Sequence, residues 1–248
     1  MRTPLAVNLL LGLLMVSAAH AAPPAGLALG SLLPRPDEPQ QMANALQLLL
    51  GFSVLSLAPG LLVMLTCFTR LIIVLSFLRT ALGTQQTPPN AVLIGLALFL
   101  TFYIMYPVGE QVRREAVLPY LQGKLGFAAA LDRGSRPVHG FLLRQTREKD
   151  IALFLNLARL APPRKPADVP FRALIPAFIL SELRSGFQIG FVLFIPFVVV
   201  DLIVASVLMS MGMMMLPPVM ISLPLKLLLF VMIDGWHLIT RSLVLSFA

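Results

Sequence analysis

The chain has few charged residues and almost no cysteine. Of its 248 residues only 12% are Asp, Glu, Lys or Arg, whereas 58% are hydrophobic. In a soluble domain about a quarter of the residues are charged, so this composition excludes an ordinary soluble protein and indicates an integral membrane protein. The single cysteine, Cys67, excludes an intramolecular disulfide, and the sequence has no Cys/His spacing typical of a metal site. We therefore expect neither a metal nor a cofactor.

The net charge of +8 does not indicate a nucleic-acid-binding protein. Eleven of the nineteen basic residues lie between residues 110 and 170, together with six acidic residues. They are not interleaved with aromatic residues on one face, as a nucleic-acid-binding surface would require. We expect no nucleic-acid partner.

The first 44 residues have the pattern of a targeting segment and a linker. Residues 1–21 predict a secretory signal peptide, with Arg2 at its start, a short apolar core and cleavage beside Ala19 and Ala21. The alternative, a first membrane anchor, is disfavoured because the apolar core is short and prolines follow it. The proline-rich residues 22–44 predict a flexible linker.

The rest of the chain predicts an all-α, membrane-type protein with about four hydrophobic helical segments. Residues 45–109 are expected to form a first helical pair, broken at Pro59-Gly60 and stopped at Gly83. Residues 171–248 are expected to form a second helical hairpin that turns at Pro217-Pro218. The polar residues 110–170 predict a small helical insertion. A cleaved signal peptide places this insertion in the periplasm, and the positive-inside rule is weak for loops of about 60 residues.

Charged residues inside the apolar segments predict buried polar contacts, because an unpaired charge there is costly. These residues are Arg70, Glu182, Asp201, Lys226 and Asp234. If both arms of the hairpin are helical up to the two prolines, Asp201 and Asp234 lie at one depth, about 24 Å from the turn. Lys226 then lies about 12 Å from either carboxylate, without a partner in its hairpin. Glu182 also lacks a local partner, so a pair of Glu182 with Lys226 would form between subunits or through a bend at Pro196.

Two carboxylates at one depth leave two enzymatic or transport alternatives open. Asp201 and Asp234 could serve an intramembrane aspartyl protease or a proton-coupled transporter. The Gly-x-Gly-Asp motif of the protease is absent, because Val231-Met232-Ile233 precede Asp234. The favoured interpretation is a non-enzymatic one, in which the aspartates make contacts between helices or between chains.

The methionines near the double proline predict a soft turn. Met213, Met214 and Met215 follow Gly212 and cannot all face one packed side of a helix. Flexible core filling is the simpler interpretation. In an oligomer, however, a ring of such turns would form a deformable apolar constriction that excludes water from a pore.

Several long motifs resemble the FliP family of type III secretion export-gate proteins. The strings are TRLIIVLSFLRTALGTQQTPPNAVLIGLALFLTFYIMYPV, FLLRQTREKDIALF, PAFILSELRSGFQIGFVLFIPFVVVDLIVASVLMSMGMMMLPP and LPLKLLLFVMIDGW. The resemblance extends over essentially all residues from 45 to 247. The family includes a flagellar and a virulence branch, and the predicted signal peptide favours the flagellar one.

The resemblance implies a pore-forming subunit that passes unfolded flagellar proteins out of the cytoplasm. It implies a pentamer that assembles with FliQ-like and FliR-like small membrane proteins and with other components of the export apparatus. The expected location is the flagellar basal body in the inner membrane, with a large part facing the periplasm. The resemblance assigns the pore gasket to Met213, Met214 and Met215, and an intersubunit salt bridge to Glu182 and Lys226. It carries over no catalytic residue, because the family's energised transport is attributed to other components.

Overall fold

The computed structural model describes residues 39–84, 86–213 and 216–247. Its chain divides into two units, Met1–Ala58 and Pro59–Ala248. The regular elements of the described residues are all helical, which confirms the all-α prediction. The predicted signal peptide with Ala19 and Ala21, and residues 22–38 of the predicted linker, lie outside the described residues.

The helices follow one another with short connections. In chain order they are α1 Pro39–Met64, α2 Phe68–Ala81, α3 Asn90–Val112, α4 Leu118–Leu121, α5 Phe127–Gln145, α6 Glu148–Leu157, α7 Phe171–Ser210, α8 Pro218–Met232 and α9 Gly235–Leu245. A π-helical turn, Arg113–Val117, joins α3 to α4 without a break. A 3₁₀ turn, Pro166–Asp168, precedes α7.

Some helix ends agree with the sequence prediction and others correct it. Gly83 adopts a φ of 76° directly after α2, as expected for a glycine that terminates a helix. The helix α1 begins at Pro39, inside the predicted linker, and passes through Pro59-Gly60 without breaking. A proline in a helix removes one backbone hydrogen bond, and the remaining bonds of this 26-residue helix keep it continuous. The break between α1 and α2 lies at residues 65–67.

The predicted polar insertion is largely helical, and its first residues continue the helix that precedes it. The helix that begins at Asn90 continues past residue 109 as far as Leu121. The helices of the insertion proper are α5 and α6, separated by Thr146 and Arg147. The third apolar segment begins at Phe171, as predicted.

The core of the second unit is built around α2, which packs against α3 and α7. Its fully buried side chains recur every three or four residues and therefore lie on one face of the helix, which packs against these neighbours. The buried residues of α2 are Leu71, Val74, Leu75 and Leu78, and they meet Leu93 of α3, Leu142 of α5, and Leu174 and Phe178 of α7. At Gly190 the two helices approach closely, because a Cβ there would lie 2.6 Å from the Phe77 ring.

Among the residues that the structure describes, two helical segments are long and apolar enough to cross a membrane by length and composition. They are Asn90–Leu121 and Phe171–Ser210, and the pair α8 and α9 is a third if it forms one span bent by 64°. The 40 residues of α7 are about 60 Å long, twice the hydrocarbon thickness of a bilayer. Part of α7 therefore lies outside the hydrocarbon core of any membrane it crosses.

Candidate functional site

The turn between α7 and α8 ends the long helix with a glycine cap. Gly212 adopts a φ of 74°, and its N–H donates to the carbonyl of Met209 at 3.0 Å. The N–H of Met213 donates to the carbonyl of Leu208 at 3.0 Å. These two bonds form a Schellman motif, which satisfies the last carbonyls of the helix and reverses the chain direction. The helix α8 then starts at Pro218, where a missing N–H costs nothing.

The described methionines of this turn are exposed. Met209 and Met211 are 60% and 67% exposed, and Met213, which lies beyond the helix end, is 39% exposed. The prediction of a non-helical methionine turn is therefore confirmed for Met213. Met214 and Met215 lie outside the described residues.

Below the turn, the two arms of the hairpin are joined by an ion pair. The Nζ of Lys226 in α8 donates to Oδ2 of Asp201 in α7 at 2.6 Å. The hydroxyl of Ser222, one helical turn before the lysine, donates to Oδ1 of the same carboxylate at 2.6 Å. Lys226 also donates to the carbonyl of Ala81 at the end of α2, at 3.3 Å. Lysine and serine are buried, and the Asp201 side chain is about one third exposed.

The end of α7 explains why the sequence argument was wrong about this lysine. That argument counted residues 211–217 as helix, whereas α7 ends at Ser210. Asp201 lies nine residues before that end, and Lys226 lies eight residues after Pro218, so they are about 14 Å and 12 Å from the turn. The two side chains are level, and Lys226 has the hairpin partner that it was predicted to lack.

The same shift separates the two aspartates that were predicted to share one depth. Asp234 lies sixteen residues after the start of α8, about 24 Å from the turn, compared with about 14 Å for Asp201. It sits at the bend between α8 and α9 with a left-handed backbone, φ 51° and ψ 52°, and it is exposed. Asp234 is therefore not buried within its own chain, and its predicted contact between chains stays a prediction. Asp201 belongs to a lysine–aspartate pair and not to a carboxylate pair with Asp234.

A second buried ion pair joins α2 to α7. The guanidinium of Arg70 donates from Nε to Oε2 of Glu182 at 3.0 Å, and from Nη2 to Oε1 of the same carboxylate. Arg70 also donates to the carbonyl of Ser246 at 3.0 Å and to the side-chain oxygen of Gln145 at 3.2 Å. Its Cζ lies 3.8 Å from the ring centroid of Phe247. One arginine therefore connects α2, α5, α7 and the residues after α9.

This contact gives Glu182 a partner within its own chain, where the sequence argument had found no local one. Sequence reasoning identified Arg70 as a buried polar residue but did not assign it to Glu182, because 112 residues separate them. A usable signal was present. The apolar segments contain two buried cations and two partly or fully buried carboxylates, and opposite charges in such segments favour pairing.

A buried serine and aspartate near Glu182 were not predicted. The hydroxyl of Ser181 in α7 donates to Oδ2 of Asp150 in α6 at 2.5 Å, and it accepts the backbone N–H of Arg147 at 3.1 Å. Both side chains are buried. The pair attaches the first turn of α6 to α7, so it has a structural role. Within residues 39–84, 86–213 and 216–247, no three His, Cys, Asp or Glu side chains are grouped to hold a metal ion.

Comparisons with known proteins agree with the resemblance of the motifs. The model of the FliP family matches residues 51–243. The chain is 53% identical over 211 residues to the flagellar biosynthetic protein FliP of Bacillus subtilis (strain 168), covering 85% of this chain and 96% of that protein. Its identity to the protein of that name from Pectobacterium carotovorum subsp. carotovorum is 53% over 214 residues, which are 86% and 83% of the two chains. For Aquifex aeolicus (strain VF5) the identity is 45% over 208 residues, 83% and 87% of the two chains.

Proposed function

The chain belongs to the FliP family, and from this membership we propose that it is a pore-forming subunit of the flagellar type III export gate. Its relatives are named flagellar biosynthetic proteins, so its general role is in flagellar export and assembly. Its long apolar helices fit a membrane-associated flagellar component. The proposal adds a molecular role: the subunit lines a channel through which unfolded flagellar proteins leave the cytoplasm.

The observation that carries the proposal is the exposed methionine turn. Gly212 ends α7 with a Schellman motif, so Met211 and Met213 are presented outside the helix on a reversed chain. Methionine has three rotatable bonds and a polarizable sulfur, so its side chain adapts to irregular neighbours. A ring of such turns can exclude water when empty and deform around a passing chain. We assign this gasket to Met213 together with Met214 and Met215.

The exposed apolar surface supports an assembled state. The aromatic residues Phe99, Phe102, Tyr103 and Tyr106 of α3 are each 66–79% exposed. They line an apolar groove of about 1060 Å³ that Val244 and Phe247 complete. A soluble monomer rarely exposes so large an apolar face, so lipid or protein covers it. We propose a pentamer of this chain, together with FliQ-like and FliR-like proteins and the other export-apparatus components, in the inner membrane with a part facing the periplasm.

An intersubunit contact between Glu182 and Lys226 remains part of the proposal. Each residue has a partner in its own chain and Glu182 is fully buried there, so such a contact requires assembly to expose Glu182. The ammonium of Lys226 has three donors, of which Asp201 and the carbonyl of Ala81 take two. The third donor could serve a carboxylate of a neighbouring copy. Replacing Lys226 alone by Ala should reduce complex formation more than membrane insertion, chiefly because it leaves the Asp201 carboxylate without its partner.

The test of the gasket is a seal measurement on the assembled complex. Replacing Met213, Met214 and Met215 together by Ala removes the flexible side chains and should let small solutes pass through the purified complex in a bilayer. The control is Met232→Ala, which removes an exposed methionine (77%) at the other end of α8, outside the turn. An unchanged conductance in the triple variant, with a complex of native mass, would contradict the proposal.

A further inference from the structure

The ion pair below the methionine turn connects three helices at one level. Asp201 in α7 accepts from both Lys226 and Ser222 in α8, each at 2.6 Å. Lys226 and Ser222 are four residues apart, so they lie on one face of α8, and each donates a hydrogen bond to a different oxygen of the Asp201 carboxylate. We call these three residues the hairpin clamp.

The third helix contributes a carbonyl that its own helix leaves free. Ala81 is the last residue of α2, and the carbonyls of a last helical turn have no intrahelical partner. The ammonium of Lys226 lies 3.3 Å from that oxygen. A cation at a helix C-terminus is favourable because the helix dipole is negative there. The clamp thus fixes α8 against both α7 and α2.

The clamp is suited to setting the register of the hairpin. Sliding one arm of the hairpin by a helical turn, about 5.4 Å, would replace its apolar contacts by others, among them the contact of the Phe197 and Phe230 rings, whose centroids lie 6.4 Å apart. The same slide would leave Lys226 buried without a carboxylate, and an unpaired charge in an apolar setting is costly. The ion pair and the buried Phe197–Phe230 contact therefore both favour the observed register, and the cost of an unpaired charge makes the ion pair the more restrictive of the two.

The register of the arms determines the position of the turn. Residues 211–217 connect the last residue of α7 to the first of α8, so a shift of either arm displaces the exposed methionines relative to those of other copies. We infer that Asp201, Ser222 and Lys226 are positioning residues of the gate, which lock the hairpin in the register that brings the methionine turns together. This inference rests on the proposed function.

The deciding variant removes both charges at once. The double variant Asp201→Asn, Lys226→Met keeps the approximate side-chain sizes and leaves no unpaired charge. Replacing a buried ion pair by uncharged groups is often neutral for stability but removes its contribution to specificity. We therefore expect the double variant to assemble into a complex of native mass and yet to leak, with a closed-state conductance about tenfold above the native value, which corresponds to about 1.4 kcal/mol in the closed–open equilibrium.

The single variants and a matched control complete the experiment. Asp201→Asn alone leaves Lys226 unpaired, so it should reduce the yield of assembled complex as well as the seal. Ser222→Ala should assemble normally and leak less than the double variant. The control is Ser206→Ala, on the same arm, where the hydroxyl bonds only to the carbonyl of Leu202 in its own helix. It should seal like the native complex.

The outcomes separate the clamp from the gasket. A double variant that seals like the native complex would overturn the inference, and so would one that cannot assemble, because a register lock is not required for the fold. The triple methionine variant is measured in the same bilayers. If it leaks while the double variant seals, the clamp fails and the gasket stands. If the double variant leaks while the methionine variant seals, the gasket assignment fails and the clamp stands.

Discussion

Arg70 and Glu182, 112 residues apart in the chain, face each other as a buried fork of two hydrogen bonds. The side chains are 6% and 0% exposed. An arginine can hold a carboxylate at two points and still use its remaining N–H groups elsewhere, and here those groups reach Gln145 and Ser246. The pair therefore holds the end of α5 and the residues after α9 against α2 and α7.

Replacing Arg70 by Met should destabilise the protein strongly. The variant leaves Glu182 as a buried charge without its partner, and removing one member of a buried pair costs about 3–5 kcal/mol. The measurement is thermal or denaturant unfolding of the purified protein in detergent. The control is Arg136→Met, which breaks an exposed pair with Asp132 and should leave stability unchanged. Equal losses in both variants would contradict the role given to Arg70.

A methyl group at Gly190 should be poorly tolerated. A Cβ there would lie 2.6–2.9 Å from Cγ, Cδ2 and Cβ of Phe77, so α2 and α7 must separate or the ring must leave its position. Forcing extra volume into such a contact costs about 1–3 kcal/mol. Gly95→Ala is the control: no atom lies within 4 Å of its added Cβ, so it should be neutral or slightly stabilising. The measurement is the melting temperature of each variant, which should fall for Gly190→Ala and not for Gly95→Ala.

Cys67 should react very slowly with thiol reagents. Burial raises the pKa of its thiol to about 11, so at pH 8 about one thiol in a thousand is ionised. Raising the pH towards 11 should accelerate the reaction, because the thiolate is the reacting form. A maleimide time course checks this, with Gln122→Cys in a Cys67→Ser background as the exposed control. Equal rates at pH 8 would show that the thiol is accessible in the folded protein.

The sequence predicted which stretches are helical better than where one helix ends. Apolar runs with few charges and helix stops at Gly83 and before Phe171 were sufficient for the architecture. The decisive error was the end of α7, assigned to Pro217 although the helix ends at Ser210. Gly212 carried the signal, since a glycine near the end of an apolar run commonly occupies the left-handed C′ position.

The contacts of the charged residues were mispredicted for two reasons: the misplaced end of α7 and long-range packing that the sequence does not reveal. Moving the helix end by seven residues changes the depth of Asp201 by about 10 Å, which is enough to exchange Asp234 for Lys226 as its neighbour. The partner of Glu182 could not be derived in the same way. Periodicity fixes the face on which Arg70 lies but not which distant helix covers that face.

The bend at Asp234 gives a prediction that separates the gate from the carboxylate-based alternatives. Asn readily adopts the left-handed conformation observed at this position, φ 51°, whereas a β-branched residue does not. For a gate subunit, Asp234→Asn should support flagellar export and assembly like the native chain. Asp234→Val should lower stability by about 1–3 kcal/mol and reduce export, because the bend between α8 and α9 becomes strained.

An aspartyl protease or proton relay makes the opposite prediction for the conservative change. Such a site needs the ionisable carboxylate itself, so Asp234→Asn should abolish its activity while the assembled complex stays intact. Flagellar motility, the mass of the complex and its melting temperature, measured on both variants, separate the two explanations. Loss of export in Asp234→Asn with a complex of native mass and stability would favour the carboxylate chemistry. A native Asn variant beside a destabilised Val variant would assign Asp234 to the geometry of the bend, because Asn keeps a polar side chain that adopts the left-handed backbone and Val does not.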